Sequence, residues 1–568
     1  MKSGYSTKTT FVVIFVILLS GAWSKSYGQK TETPAAGEAR YAVLDPRGDM
    51  LEVNLIPLAP RVSDLNDKVV YIISSWERDT GFEGMLAKAE EMLKKRFQKV
   101  TIVRKTRGTA YYSSDDPALW KEMQSKGHAF IYGAAPSSST THYSFNWSSI
   151  LEKSGLPGTV LMYDTLLDVA KGSRERLGAL IRYTAVPFPV ESMTEKQVSD
   201  ALDRIISALM SPLTAEETKT GKYLPPKPPR IAFTGTLSEV QDYFYKQGWT
   251  DGLPIIPPTE EKVAEMLKGT KHAPNEVLTS SMPPEKLMVT VEKVAINGVM
   301  AGCKPAYMPV LLAAIEAYTK RNVDSTIRST GSFSFMQVVN GPIRKELKMN
   351  AGTYALGPGN EANAAIGRAL RLFITNLGGG KPDINMMGVI GNTSAYTLCF
   401  PENEERSPWT PFSVDQGFKA GESTLTFFTG GWAHTGNYGY TKTALLDVVK
   451  DISVFEYPSG IVVLIAPPRA ELLKAEGMNK EGVKEYIWKN ATVPLGELKQ
   501  SIFYKMLTDP RIAKKELRPE DLDRPDDTLI QAYPRDQVHI IVVGGEAVPM
   551  MQVWHMSNPQ TVSIDKWR

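Results

Sequence analysis

The sequence predicts an α/β protein, with an N-terminal three-layer domain on a parallel sheet and a larger mixed α/β (or α+β) C-terminal region. Three observations carry this. Between residues 69 and 210, short apolar runs alternate with amphipathic stretches at helical spacing, the rhythm of β-α-β units. The run Pro-Pro-Lys-Pro-Pro at 225–229 then interrupts the pattern, as extended linkers do. After residue 231 strands and helices follow in a less regular order, with no internal repeat.

Taken in order, residues 69–74 (VVYIIS) read as a strand. Residues 82–97 read as a helix with Met85, Ala89, Met92 and Phe97 near one stripe. Strands are expected at 100–103, 129–132 and 159–163, and helices at 117–125, 144–153 and from Asp164. Gly155 and Pro157 end the 144–153 helix. A short edge strand at 184–189 precedes a helix from Thr194 to Met210. In the second half, Thr259 caps a helix through Leu267, with Glu260 and Glu261 in its first turn to suit the helix dipole. Residues 287–296 read as a strand and 297–307 as a loop. A helix follows around Pro309, and another runs from the cap Asn360 through Ile374. Strands are expected at 425–428, 461–465 and 538–543, the last running into Gly544 and Gly545. The expected segments are therefore 1–28, 29–40 (flexible), 41–212, 213–230 (linker) and 231–568, the last one or two subdomains.

The first segment reads as a signal peptide. Lys2 and Lys8 are basic, residues 11–19 (FVVIFVILL) are apolar, and Ser26-Tyr27-Gly28 suits cleavage after Gly28. Export to a periplasmic or extracellular space is the expectation, and an uncleaved N-terminal anchor is the alternative. No later segment is apolar enough to span a bilayer. The chain has 568 residues, 42% hydrophobic and 22% charged, with a formal net charge of +3. That charge is too mild, and too evenly spread, for nucleic-acid binding. A small molecule is the expected partner, and no cofactor is indicated. Cys303 and Cys399 are the only cysteines, either bridged or reduced. No Cys-x-x-Cys or His-x-x-x-His spacing exists, so no metal site is expected.

The stretch 133–142, Gly-Ala-Ala-Pro-Ser-Ser-Ser-Thr-Thr-His, follows the apolar run 129–132 and precedes a helix. It belongs at the carboxyl edge of a sheet, where open α/β sheets bind ligands. Ser137, Ser138 and Ser139 are its candidate binding residues, and Ser138 with His142 is a conceivable nucleophile–base pair. A solvated connector is the alternative. Three residues are candidates for chemistry. Cys303 lies next to Lys304 and ahead of the helix at Pro309, a setting that favours a thiolate, and an inert buried cysteine is the alternative. Asp251 sits in the stiff loop 247–258, as a functional carboxylate or a turn former. His434, read as lying in a loop after Gly430-Gly431, is a lone acid–base candidate. Gly357, Gly359, Asn360, Asn363, Arg368 and Arg371 outline an anion site at a loop-to-helix junction, or simple helix capping. Glu402, Glu404 and Glu405 read as a solvated acidic loop.

Several stretches together are diagnostic. Leu44-Asp-Pro46, Leu58-Ala-Pro-Arg61, the strand at 69–73, the 133–142 stretch, Glu152-Lys-Ser-Gly-Leu-Pro157 and Pro187-Phe-Pro189 resemble the UGSC-like family of (seleno)proteins, named for a Sec-Gly-Ser-Cys motif. The loop and its helix also resemble, distantly, the selenoprotein subunit of glycine reductase component B. Residues 248–254, 291–297, 300–305, 356–360 and 366–368 resemble the C-terminal region fused to this domain in some members. The family loop reads Gly-Asp-Sec/Cys-Gly-Ser-Cys-Thr. This chain keeps Gly133 and Ser137 but has Ala134, Ala135, Pro136 and Ser138 at the other positions. The resemblance thus implies the fold and a degenerate redox motif, in which both reactive atoms are replaced. Three functions remain open: an exported enzyme acting on a small organic, anionic molecule without the selenol/thiol pair, a non-catalytic exported small-molecule binding protein, and a structural or partner-binding exported protein, against which the glycine-rich turns argue.

Overall fold

The structure, a computed structural model, describes residues 38–75, 82–107, 113–134, 137–321, 323–438, 444–446, 449, 459–500, 510–514 and 516–568. The signal segment 1–28, and with it the expectation of export, lies outside the described residues, as does Ala135. Residues 40–568 form one unit.

The N-terminal sheet is built from the apolar runs read in the sequence. Val69–Ser74, Thr101–Thr106, Ala129–Gly133, Gly158–Tyr163 and Tyr183–Val186 pair in parallel throughout. In chain order the strands lie 2-1-3-4-5, the flavodoxin-like doubly wound arrangement. The inner strands Ala129–Gly133 and Gly158–Tyr163 are buried along their whole length, as strands covered on both faces must be. Helices Phe82–Arg96, Pro117–Lys126, Ser138–Lys153 and Leu167–Leu177 connect successive strands, and Glu195–Met210 follows the last. Asp116 and Thr194 cap their helices as their residue types require, Thr194 through a reciprocal box with Gln197.

The segment ahead of this sheet does not pack with it alone. Tyr41–Leu44 pairs antiparallel with Ile231–Gly235, and Val43 and Leu44 are buried with the C-terminal helices. The 213–230 segment, expected to make few contacts, is held at two places. Gly221–Tyr223 pairs with Val53–Leu55, and Arg182 donates two hydrogen bonds to Glu217, at 2.8 and 2.9 Å.

The C-terminal region is organised on a six-stranded mixed sheet in the order Cys399–Pro401, Ser334–Asn340, Thr424–Tyr438, Met550–Ser563, Ile461–Ile465 and Val538–Val542. Helices Val291–Ala301, Met308–Lys320 and Glu361–Leu372 share a core with Val339, Leu425, Phe427 and Val562. Helices Pro467–Ala475 and Lys480–Asn490 cover Val463, Ile465, Ile540 and Val542. Residues 287–296, expected to be a strand throughout, divide at Thr290. Its side chain accepts from Lys293 N and starts the helix Val291–Ala301, so local capping overrides the alternation of Val289 and Val291.

His539 belongs to this sheet. It is buried against the rings of Phe412 and Phe428, with Nε2 lacking a hydrogen-bond partner. Burial drives its pKa down to about 3. The folded state therefore keeps His539 neutral, while the unfolded chain takes up a proton below about 6.5. Its contribution to stability is whole above that pH and is lost as pH falls toward about 3. His539→Phe should leave the melting temperature at pH 7 within a few degrees of the parent. At pH 4.5 it should exceed the parent by an increment worth up to about 3 kcal/mol. Thermal melts of both proteins at the two pH values check this.

Candidate functional site

The 133–142 stretch sits at the sheet's carboxyl edge, next to the point where strand order reverses. It is not an open loop. Ser137 is the N-cap, accepting from Thr140 N at 3.2 Å, and the helix starts at Ser138, six residues earlier than the sequence suggested. Capping serine followed by Ser and Thr in the first turn is good helix-start chemistry, and the C-terminal region covers it. Ser138, Ser139, Thr140, Thr141 and His142 are all buried. Ser138 Oγ donates to the carbonyl of Arg328, and Ser139 Oγ lies 3.2 Å from Ser137 Oγ. Arg328 is in turn fixed by Asp324 at 3.0 Å and Glu285 at 2.9 Å, and Tyr143 donates to Asp324 at 2.8 Å.

Ser138 and His142 are not a pair. His142 Nδ1 faces Ser173 Oγ at 2.8 Å, and Nε2 faces Arg176 Nη2 at 2.5 Å. The arginine is a donor only, so Nε2 accepts and Nδ1 carries the proton. Burial, followed by the charges of Arg328, Arg176 and Lys286, holds the His142 pKa well below its ordinary value. With Nε2 taken by Arg176 and Nδ1 protonated toward Ser173, the ring has no free lone pair with which to act as base on Ser138.

The residues proposed for chemistry in the second half do not converge as expected. Arg368 clamps Asp251 through Nε to Oδ2 at 2.8 Å and Nη2 to Oδ1 at 3.0 Å, and also donates to the carbonyl of Pro254 at 2.8 Å. Burial pushes the Asp251 pKa up, but the hydrogen bonds and charge of Arg368 more than offset it, and the net shift is downward. Asp251 and Arg368 thus pin the 248–254 loop to the Glu361–Leu372 helix. Cys303 is not at a helix start. It follows the left-handed cap Gly302 at the carboxyl end of Val291–Ala301, and its N–H bonds the carbonyl of Gly298 at 2.9 Å. Burial, and then neighbouring Cys399, push its thiol pKa far up, and carbonyls at a helix C-terminus oppose a thiolate. Both cysteines are free thiols. His434 is not in a loop; it lies on the Thr424–Tyr438 strand, opposite Trp554.

The loop-to-helix junction at 357–360 works as a cap. Asn360 accepts from Asn363 N at 3.0 Å. Asn363 is buried and donates to the carbonyls of Asn350 at 2.9 Å and Ala355 at 3.0 Å. Gly359 takes a left-handed φ of +114° with open space around it. The acidic loop is partly interior. Glu402 is fully buried and accepts from Asn340 and from Phe412 N, each at 2.6 Å. Glu404 and Glu405 hold Arg344. No group of metal-ligating side chains is assembled among the described residues.

What the structure does assemble is a cavity of about 500 Å³ at the carboxyl ends of the parallel strands Ile461–Ile465 and Val538–Val542. One wall is residues 353–357, including Gly357; the other is Val543, Gly544, Gly545, Ala547, Val548 and residues 550–552. Gly544 N donates to the Ala351 carbonyl at 2.9 Å, tying the two loops together. A Cβ at Gly545 would stand 2.2 Å from Thr353 Oγ1, so the approach requires glycine. Tyr354, itself at φ +67°, Leu356 and Val548 stand exposed around the mouth. Leu464, Val543 and Met551 form the floor, and Gln552 is the chief polar side chain inside. The adjacent helix begins Pro467-Pro468, so two N–H groups that would greet a phosphate at this sheet edge are missing. No charged side chain lines the cavity.

The N-terminal part of the molecule is therefore a flavodoxin-like parallel α/β domain joined to a mixed-sheet region that carries the large cavity. Residues 42–215 match the model of the UGSC family. No curated protein matches the chain. Among solved structures, a flavodoxin-like domain from Synechococcus sp. is 15% identical, with 25% of this chain and 95% of that chain covered and a TM-score of 0.17. No helix among the described residues is long and apolar enough to cross a membrane.

The cavity escaped the sequence reading except at Gly357. The signal was present, because Val538–Val542 runs into Gly544-Gly545 as 129–132 runs into Gly133. Its partner wall, 351–357, is joined to it only by long-range contacts.

Proposed function

We propose that this is an exported protein that binds a small, uncharged, largely apolar molecule in the C-terminal cavity, and that it does so without selenol or thiol chemistry. The observation that carries the reading is the cavity itself. Its volume of about 500 Å³ is that of a small-molecule site, and an apolar wall with a few polar groups is the usual composition of one. An uncharged ligand follows from the lining, which lacks a charged side chain, and from Pro467 and Pro468. Gln552 and the backbone of the glycine loops would orient a polar end. Export rests on the basic and apolar run at the N-terminus. The non-catalytic form of the reading is favoured because Asp251 is engaged by Arg368 and the Cys303 thiol is driven toward its neutral form.

The neutral fluorophore N-phenyl-1-naphthylamine tests the site. The folded parent should bind it saturably at one site. Ala547→Trp, at an exposed position of the cavity wall, should weaken binding at least tenfold and leave the melting temperature unchanged. Equal binding by parent and variant, or no saturable binding by the parent, would overturn the assignment.

A further inference from the structure

A second, smaller cavity lies on the other side of the region, between the Ser334–Asn340 strand, the Glu361–Leu372 helix and residues 394–398. We propose that it is a binding site for the carboxylate of a small organic acid, held by the Arg371 guanidinium. It is independent of the apolar cavity and shares no lining residue with it.

The argument begins with what Arg371 lacks. Arg328, Arg344 and Arg368, three arginines packed into the same region, each hold one or two carboxylates. Arg371 lines the cavity, and its hydrogen bond is to a thioether, Nη2 to Met386 Sδ at 3.7 Å. A guanidinium stays charged in proteins and carries five donors in a planar fork. Asp251, the carboxylate whose charge reaches it, is already bound by both nitrogens of the Arg368 fork. The cation is thus turned toward a cavity with its donors unspent.

The facing wall supplies the second observation. Gln337 lines the same cavity from the middle of its strand, is 1% exposed, and has Oε1 without a hydrogen-bond partner. A buried amide left unpaired costs free energy on the order of 1–3 kcal/mol, and a bound group would recover it. Rotating the amide by half a turn exchanges Oε1 for Nε2 and offers a carboxylate a donor.

The shape agrees. The volume is about 30 Å³, enough for a water molecule or the head of a small acid and not for a whole metabolite. Gly367 lies one turn before Arg371 on the same helix face. A Cβ there would come within 2.1 Å of Thr397 Oγ1 and would push the 394–398 wall away. Immediately after Arg371 the helix widens into a π turn, Phe373–Leu377, a distortion that frequently accompanies functional sites.

Acetate is the probe. Saturation-transfer NMR on the folded full chain, at constant ionic strength, should show saturable binding that formate competes away. Arg371→Met should weaken it at least tenfold, with an unchanged far-UV spectrum. Should Arg371→Met fail to fold, Arg371→Lys keeps the charge but loses the fork, and it should weaken acetate several-fold. Absence of saturable acetate binding to the parent, the result expected of a site that holds only water, would overturn the proposal. So would a folded Arg371 variant that binds acetate as the parent does.

Discussion

Arg61→Ala is expected to destabilise the protein by about 3–5 kcal/mol, the cost of stranding one partner of a buried ion pair. Arg61 Nη1 reaches Glu152 Oε1 at 2.9 Å, and the two side chains are 2% and 0% exposed. Glu152 also accepts from Ala59 N at 2.7 Å and Gly158 N at 2.9 Å. One carboxylate therefore joins the segment before the first parallel strand to the end of the Ser138–Lys153 helix and the start of the next strand. Burial pushes the Arg61 pKa down and the Glu152 pKa up, more strongly than their mutual attraction resists. The pair thus holds geometry more than it supplies net energy, and Arg61→Met combined with Glu152→Met should recover part of the loss. Denaturant titration of the single and double variants measures both quantities.

Asp251→Asn is the second large effect, at about 2–3 kcal/mol. It removes the charge that takes both arms of Arg368, with side chains 2% and 18% exposed. Arg368→Met should cost a similar amount, and the double variant should lose little more than either single one. That coupling is the mark of a shared structural bond. Additive losses would mean that Asp251 does its work elsewhere, as the catalytic reading of this loop requires.

The N-terminal architecture was legible because its signals are local. Each parallel strand is a short apolar run, and Thr194 and Thr259 cap the helices they introduce. The errors arose where two local signals competed. Val289 and Val291 alternate as in a strand, yet Thr290 caps a helix between them. Ser137 through His142 are polar enough for a loop, yet they make a buried first turn because Arg328 and Ser173 receive them. Contacts between distant segments left no trace to read. Asp251 and Arg368 stand 117 positions apart, and their pairing depends on the tertiary fold. Glu402, in what reads as a solvated loop, is interior because Asn340 and Phe412 meet it there. The large cavity is the same case, with walls some 190 residues apart in the chain.

A crystal of the protein soaked in 1-bromonaphthalene tests the proposed binding site most directly. The anomalous signal of bromine should give one peak between Tyr354, Val548 and Met551, above the ends of the Ile461–Ile465 and Val538–Val542 strands. A peak at the start of the Ser138–Lys153 helix instead, or an empty C-terminal cavity at saturating ligand, would contradict it.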